Sequence, residues 1–421
     1  MKIIIYGLGY VGLTAAGCLT EAGHDVLGVD VNAHKVDLVN AGKSPISEPG
    51  LDVLLAKACL NGRLRATLDP GRSINEFDIA FVCVGTPSAS DGSHNMTYMA
   101  EVSRQIAAAI DPSQRKEPLT VVYRSTIRPG TLDEFVLPIF RSYLKNQIGA
   151  IELIYNPEFL RESVAIRDYF NPPKIVIGTA DGQISAKMNV LYAGLDAPTF
   201  YTRFREAELT KFVDNSFHAL KVAFANEIGR ICLQIGVSTE IIHEIFVSDT
   251  KLNISPYYLR PGGAFGGSCL PKDVRALQFI SGDVGAQTYL IDSLLRSNDA
   301  HKHYLYNYCI RDVPQGSHVL LIGLAFKANS DDLRESPNLD LARRLLQGGF
   351  SVSVYDPVLR PDMLVGQNLG NAYAQLPMLD ELLIDKETAE KNQFDLVIDT
   401  NGSAKSLALC SSRIVSINQL S

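Results

Sequence analysis

No stretch of the sequence approaches the ~20 consecutive apolar residues that crossing a bilayer requires. The apolar run Ile3–Tyr6 is cut off by glycine, far too short for the core of a secretory signal. A cytoplasmic protein with no membrane partner is expected. Paired cysteines are missing too. The seven (Cys18, Cys59, Cys83, Cys232, Cys269, Cys309 and Cys410) are scattered and odd in number, and no two form C-x-x-C. Reduced thiols are expected, without a disulfide framework or a metal site. Positive charge is not in excess. The formal net charge of -7 argues against nucleic acid as partner, because a phosphate backbone needs clustered Lys and Arg. It leaves room for a local basic pocket around one anionic ligand. Short-period repeats and low-complexity tracts are absent as well.

What remains is ordinary for a globular chain: 421 residues, 46% hydrophobic and 20% charged. At ~150 residues per domain, two or three domains are expected. Residues 1–135 alternate short apolar runs with helical patterns. Ile3–Tyr6, Asp25–Asp30, Ile79–Val84 and Thr120–Tyr123 read as strands apolar enough to be buried on both faces. Thr14–Ala22 and Tyr98–Ala109 read as helices between them. This alternation predicts a parallel sheet covered on both sides, which Ile151–Tyr155 and Lys174–Gly178 extend. From about Arg203 the period changes. Glu206–Ile235 contains no proline and one glycine, and Leu209, Phe212, Val213, Phe217, Leu220 and Phe224 recur at helical spacing. One long helix, largely buried, is expected there. After Pro314 the strand pattern returns at His318–Ile322, Ser351–Tyr355, Leu396–Asp399 and Arg413–Ile417. The expected fold is α/β: an N-terminal Rossmann domain (1–202), a central helical region (203–300) and a second Rossmann-like domain (301–421).

Gly7-Leu8-Gly9-Tyr10-Val11-Gly12 fits G-x-G-x-x-G in the context that gives the motif meaning. It follows a strand and opens a helix, and Asp30 ends the next strand eighteen residues after Gly12. Gly7 permits the tight turn, Gly9 lets backbone approach a pyrophosphate, and Gly12 lets helix pack on strand. Asp30 can accept ribose hydroxyls and repels a 2′-phosphate, so NAD is expected over NADP. Lys35 has two readings, a phosphate or adenosine contact and a solvated helix lysine. A second motif runs from Gly262 to Asp273. Its four glycines, Gly262, Gly263, Gly266 and Gly267, give a ligand access to backbone, and Cys269 follows directly. A helix starting near Pro271 would favour the thiolate, with Lys272 adding to the field and Asp273 placed to hold water or a proton. The other six cysteines read as small buried hydrophobes. Third, Lys211, Asn215 and His218 share one helix face, and Asn226 leans the same way; a solvated stripe is the competing reading.

With these segments in view, the chain resembles the nucleotide-sugar 6-dehydrogenases. The resemblance is carried by Gly7–Gly12, Val84-Gly85-Thr86-Pro87, Arg124-Ser125-Thr126, Asn156–Glu162, Lys211 to Asn215, Phe265–Asp273, Gly323–Lys327 and Leu333–Pro337. Within the family, Tyr257–Pro261 and Ser268–Leu277 are similar to the branch acting on GDP-mannose, whereas Gly263 stands where that branch carries an aromatic residue. The resemblance implies two NAD-dependent oxidations of a primary alcohol through a thioester on Cys269. Lys211 and Asn215 would stabilise oxyanions, Thr126 and Asp273 would hold a water, and Glu162 would assist hydrolysis. Tyr10, Val11, Thr86, Thr126, Lys35 and Lys272 would join Gly7, Gly9, Gly12 and Asp30 at NAD. His218, Asn226, Tyr257, Tyr258, Arg260, Gly263 and Lys327, with Glu162, Lys211 and Asn215, would bind the sugar nucleotide. It also implies a homodimer built on the long helix, with Arg260 reaching the partner's site. Oxidation of UDP-glucose, and nucleotide binding without turnover, are the alternatives.

Overall fold

The apolar runs of the N-terminal half form one eight-stranded sheet in a computed structural model that describes residues 1–87, 95–161, 163–255, 262–267, 270–326, 330–364 and 366–417. Its strands are β1 Lys2–Tyr6, β2 Asp25–Val29, β3 Leu64–Thr67, β4 Ile79–Val82, β5 Leu119–Tyr123, β6 Ile151–Tyr155, β7 Ile175–Thr179 and β8 Thr199–Arg203. They lie in the order β3-β2-β1-β4-β5-β6-β7-β8. Neighbours run parallel except β6 and β7, which meet antiparallel at Tyr155 and Gly178. Strands β4 and β5 are buried at every residue. Alternate side chains feed two cores: Ile3, Ile5, Phe81 and Val122 on one face, Ile4, Tyr6, Ala80, Val82 and Tyr123 on the other. That double burial is why these strands read as unbroken apolar runs. The edge strands β3 and β8 are partly exposed and carry Arg and Thr, so no such run marks them.

The helices of this unit are α1 Tyr10–Glu21, α2 Ala33–Asn40, α3 Leu51–Leu60, α4 Thr97–Ala109, α5 Leu137–Leu144, α6 Ala165–Phe170 and α7 Ala186–Leu191, followed by the start of α8 Phe204–Ile235. Chain order reverses between β1 and β4. Such a reversal opens a crevice at the carboxyl ends of the strands, where α/β sheets bind ligands.

The chain falls into two compact units, Met1–His218 and Ala219–Ser421, and α8 runs from the first into the second. It uses one buried carboxylate in each. Glu208 accepts the N–H groups of Gly130 (2.5 Å) and Leu132 (2.9 Å), at the turn leading to α5. Glu227 accepts those of Leu290 (2.8 Å) and Ile291 (3.0 Å), at the first turn of α11. Both pairs satisfy helix-start amides that would otherwise lack partners. One expectation is corrected here. The apolar residues of α8 are not largely buried: Val213 is 57% exposed, Val222 62% and Leu233 74%.

The second unit holds α9 Thr239–Ser248, α10 Leu270–Asp283, α11 Tyr289–Ile310 and α12 Pro337–Gln347, with a parallel sheet of β9 His318–Ile322, β10 Ser351–Tyr355, β12 Leu396–Asp399 and β14 Ile414–Ser416 in the order β10-β9-β12-β14. The short β11 Gln393–Phe394 and β13 Cys410–Ser411 pair separately. The opening turn of this sheet repeats that of the first. Gly7 (φ +94°) donates its N–H to Val29 and Leu8 donates to Asp30; Gly323 (φ +87°) donates to Tyr355 and Leu324 to Asp356. The same local chemistry, glycine after a strand and aspartate after the next, therefore builds the same corner twice.

Candidate active site

The glycine turn is shaped by close approach. A Cβ on Gly12 would lie 1.9 Å from the Gly7 carbonyl oxygen, and one on Gly7 would lie 2.8 Å from that of Cys83. Both positions demand glycine for packing alone. Gly9 differs: a Cβ there meets no protein atom, and as N-cap of α1 it brings no side-chain cap. The start of α1 is thus bare backbone opening on free space, as a pyrophosphate requires. Asp30 accepts the N–H of Leu8 at 2.8 Å and of Asn32 at 2.9 Å, while Lys35 Nζ stands 3.5 Å away. A carboxylate offers about four acceptor positions, so capacity remains for a ribose hydroxyl. Lys35 thus sits beside Asp30 at the same corner. These residues fit a dinucleotide.

A cleft of about 260 Å³ continues from the turn, lined by Gly9, Tyr10 and Val11 on one side and by Thr86, Arg124, Ser125, Thr126 and Glu158 on the other. Thr86 Oγ1 donates to the Thr126 carbonyl at 2.9 Å, tying the ends of β4 and β5 together. Glu158 was not singled out from the sequence. It follows β6, accepts the Leu160 N–H at 2.7 Å, and pairs with Lys211 Nζ at 2.9 Å. The two side chains are 14% and 12% exposed. Two ammonium groups approach the Phe159 ring, Lys174 at 4.6 Å and Lys211 at 5.7 Å from its centroid, and Lys174 is itself held by Asp214. Lys211 therefore has the partner that a buried lysine needs, and that partner lines the cofactor cleft. The only local signal for Glu158 was an acid inside the segment Asn156–Glu162; its approach to Lys211 is a tertiary fact. Asn215 and His218 are exposed further along α8, and Asn226 is exposed on the part of α8 in the second unit.

In the second unit, Asn298 of α11 holds the glycine loop. Its Oδ1 accepts the Phe265 N–H at 2.9 Å and its Nδ2 donates to the Phe265 carbonyl at 2.8 Å, while His301 Nε2 lies 2.8 Å from the Gly262 carbonyl oxygen. A Cβ on Gly266 would lie 2.3 Å from the Glu335 carbonyl, and one on Gly267 (φ +85°) 2.9 Å from the Phe326 ring. The glycine-for-ligand expectation is thereby corrected for these two: the chain's own packing requires them. Gly263 meets nothing within 4 Å and stays open. Helix α10 begins at Leu270 with Pro271 in its first turn, close to the expected start. Lys272 and Asp273 pair with each other at 3.3 Å and are about 70% exposed, so their mutual attraction is weak. Cys269, Glu162, Tyr257, Tyr258, Arg260 and Lys327 lie outside the described residues.

The other six cysteines are free thiols. Burial pushes Cys18, Cys83 and Cys309 up to about 12, which leaves them protonated and unreactive near neutral pH. Among the described residues no cluster of His, Cys, Asp and Glu suited to a metal ion occurs, and no helix is long and apolar enough to cross a membrane.

Comparison with known proteins adds three family matches. Residues 1–196 match the NAD binding domain of the UDP-glucose/GDP-mannose dehydrogenase family, residues 205–300 its central domain, and residues 320–398 its UDP binding domain. The GDP-mannose 6-dehydrogenase of Pseudomonas putida is 43% identical over 91% of this chain and 87% of its own length. The UDP-glucose 6-dehydrogenase YwqF of Bacillus subtilis is 36% identical over 85% and 80%. The crystal structure of a ternary complex of GDP-mannose dehydrogenase from Pseudomonas aeruginosa matches with a TM-score of 0.91 at 39% identity, covering 99% of this chain and 96% of that one. The chain belongs to the UDP-glucose/GDP-mannose dehydrogenase family and is an NAD-dependent nucleotide-sugar dehydrogenase.

Proposed function

We propose that the enzyme oxidises the C6 primary alcohol of GDP-mannose to the carboxylate of GDP-mannuronate, in two successive oxidations through a thioester on Cys269. The observation that carries this reading is the single cleft that joins the glycine turn to Thr126 and to Glu158, the partner of Lys211. Higher identity to a GDP-mannose than to a UDP-glucose enzyme supports the choice of sugar nucleotide. UDP-glucose is the second reading, and Gly263 is the position that favours it.

Bound NAD supplies the hydride acceptor for each oxidation. As the C6 hydroxyl loses its proton to a water held by Thr126 and Asp273, Lys211 and Asn215 stabilise the alkoxide; later they stabilise the oxyanion. The Cys269 thiolate adds to the resulting aldehyde, forming a C–S bond and a thiohemiacetal. Loss of the second hydride and the hydroxyl proton leaves a thioester. Water directed by Glu162 adds to it, the C–S bond breaks, and the thiol and the carboxylate are released. The sugar nucleotide rests on His218, Asn226 and Gly263, with Tyr257, Tyr258, Arg260 and Lys327 completing its contacts. Tyr10, Val11, Thr86 and Lys272 complete the NAD site.

Two copies associate along α8, whose exposed Val213, Leu220 and Val222 support an apolar interface, and Arg260 of each chain serves the site of the other. NADH formation at matched concentrations of GDP-mannose and UDP-glucose tests the reading. GDP-mannose should be turned over faster; preference for UDP-glucose would reassign the substrate and leave the family chemistry in place.

A further inference from the structure

Glu48, in the segment before α3, is 6% exposed and touches residues far from it in the chain. Its Oε2 accepts the Tyr10 hydroxyl at 2.5 Å and the Ser163 N–H at 2.8 Å; its Oε1 accepts the Ala165 N–H at 2.9 Å. Among the described residues no lysine or arginine forms an ion pair with it, so these protein donors stand in for the water it has lost. The three donors come from two places. Tyr10 is the first residue of α1, inside the glycine motif, and lines the cofactor cleft. Ser163 and Ala165 belong to the turn after β6 and the start of α6. Ser163 has φ +69°, a conformation that residues other than glycine avoid unless their surroundings hold them in it. The Tyr10 hydroxyl also approaches the Arg161 carbonyl oxygen at 3.4 Å, so its ring is the strut between the dinucleotide turn and this segment.

We propose that Glu48 is a positioning residue that couples occupancy of the NAD turn to the order of the turn at Ser163 and Ala165. A dinucleotide against the start of α1 confines the Tyr10 ring. A confined ring keeps its hydroxyl on Glu48. With that donor in place the carboxylate is fixed to receive Ser163 and Ala165, and the left-handed turn is held. When Tyr10 swings away, Glu48 loses one of three donors and gains freedom to follow solvent, and the turn loosens. Coupling of this kind is reciprocal, so an ordered turn also strengthens NAD binding. The proposal needs NAD at the glycine turn and no particular sugar nucleotide, so it stands or falls apart from the identity of the substrate.

Amide hydrogen exchange on the full-length protein, with NAD alone at saturation and absent, reads the coupling directly. In the parent, NAD should slow exchange at Ser163 and Ala165 by about tenfold, within the usual range for coupled sites. In Tyr10→Phe, with NAD saturation checked by its own titration, protection should persist at the start of α1 and largely vanish at Ser163 and Ala165. Adding Glu48→Gln to Tyr10→Phe should remove little more of the NAD-dependent protection, because Tyr10 reaches the turn through Glu48, although basal exchange at the turn rises as one accepting oxygen is lost. A purely structural role for Glu48 would lower stability and leave NAD-dependent protection intact. Should Glu48→Gln fold poorly, Tyr10→Phe alone decides, since it removes one hydroxyl. Equal protection at Ser163 and Ala165 in Tyr10→Phe and parent, or none in the parent, overturns the proposal.

Discussion

Replacing Lys211 by methionine separates the two things its ammonium does. In the folded chain it pairs with Glu158 at 2.9 Å, with both side chains mostly out of water. Removing one partner of a buried pair costs about 3–5 kcal/mol, because the other charge is left uncompensated. At 12% and 14% exposure some solvent reaches this pair, so a cost of about 2–3 kcal/mol is expected. Chemistry should suffer more. A donor aimed at a developing oxyanion contributes about 10²–10³ in kcat, and methionine offers no donor. The assay is NADH formation at saturating NAD and GDP-mannose, alongside thermal unfolding. A second variant distinguishes the effects. In Lys211→Met with Glu158→Gln the stranded carboxylate is gone, so stability should return to within about 1 kcal/mol of the parent, while kcat stays low. Lys211→Met turning over within about threefold of the parent, or activity recovering with stability in the double variant, would refute an oxyanion role.

Three other outcomes are expected. NADP should be used far less efficiently than NAD, and Asp30→Asn should narrow the gap in steady-state rates; equal efficiency in the parent would remove Asp30 from its role. Cys269→Ser should still bind sugar nucleotide and NAD but form almost no acid, with an ester adduct detectable by protein mass; acid formation at the parent rate would defeat covalent catalysis. Burial raises the Glu208 carboxyl above its ordinary value, against the pull of the Leu132 and Gly130 N–H groups. The folded state then binds that proton more tightly than the unfolded state. The associated stability is present at low pH and is lost as pH rises through the raised value. The Tm of Glu208→Gln relative to the parent should therefore climb over that rise, and a flat or falling difference contradicts the assignment.

Much of this was legible because burial on both sheet faces leaves a continuous apolar run, as in β1, β4, β5, β9 and β12, while β10 alternates serine with valine and shows the period of a strand buried on one face. The edge strands β3 and β8 lack it and were invisible. The glycine turn was legible because strand, helix and Asp30 lie within thirty residues; its repeat at Gly323 and Asp356 has the same order of strand, glycine and aspartate over a longer span, without the second and third glycines. Glu158 and Glu48 were not legible. Each acts across the fold, on Lys211 and on Tyr10 and Ser163, and no local period records such a contact. The exposure of α8 misled for a related reason. Apolar periodicity reports that a face wants cover, and it does not say whether the same chain provides it. Gly266 and Gly267 show the converse, with glycines suggestive of ligand access occupied instead by Glu335 and Phe326.

The central claim is a double oxidation of one carbon. Its most direct measurement is the yield of NADH per molecule of limiting GDP-mannose under excess NAD, with the sugar product identified by mass. Two NADH per GDP-mannose and a carboxylate at C6 are expected. One NADH per sugar with a released aldehyde, or no NADH from GDP-mannose at all, would contradict the account.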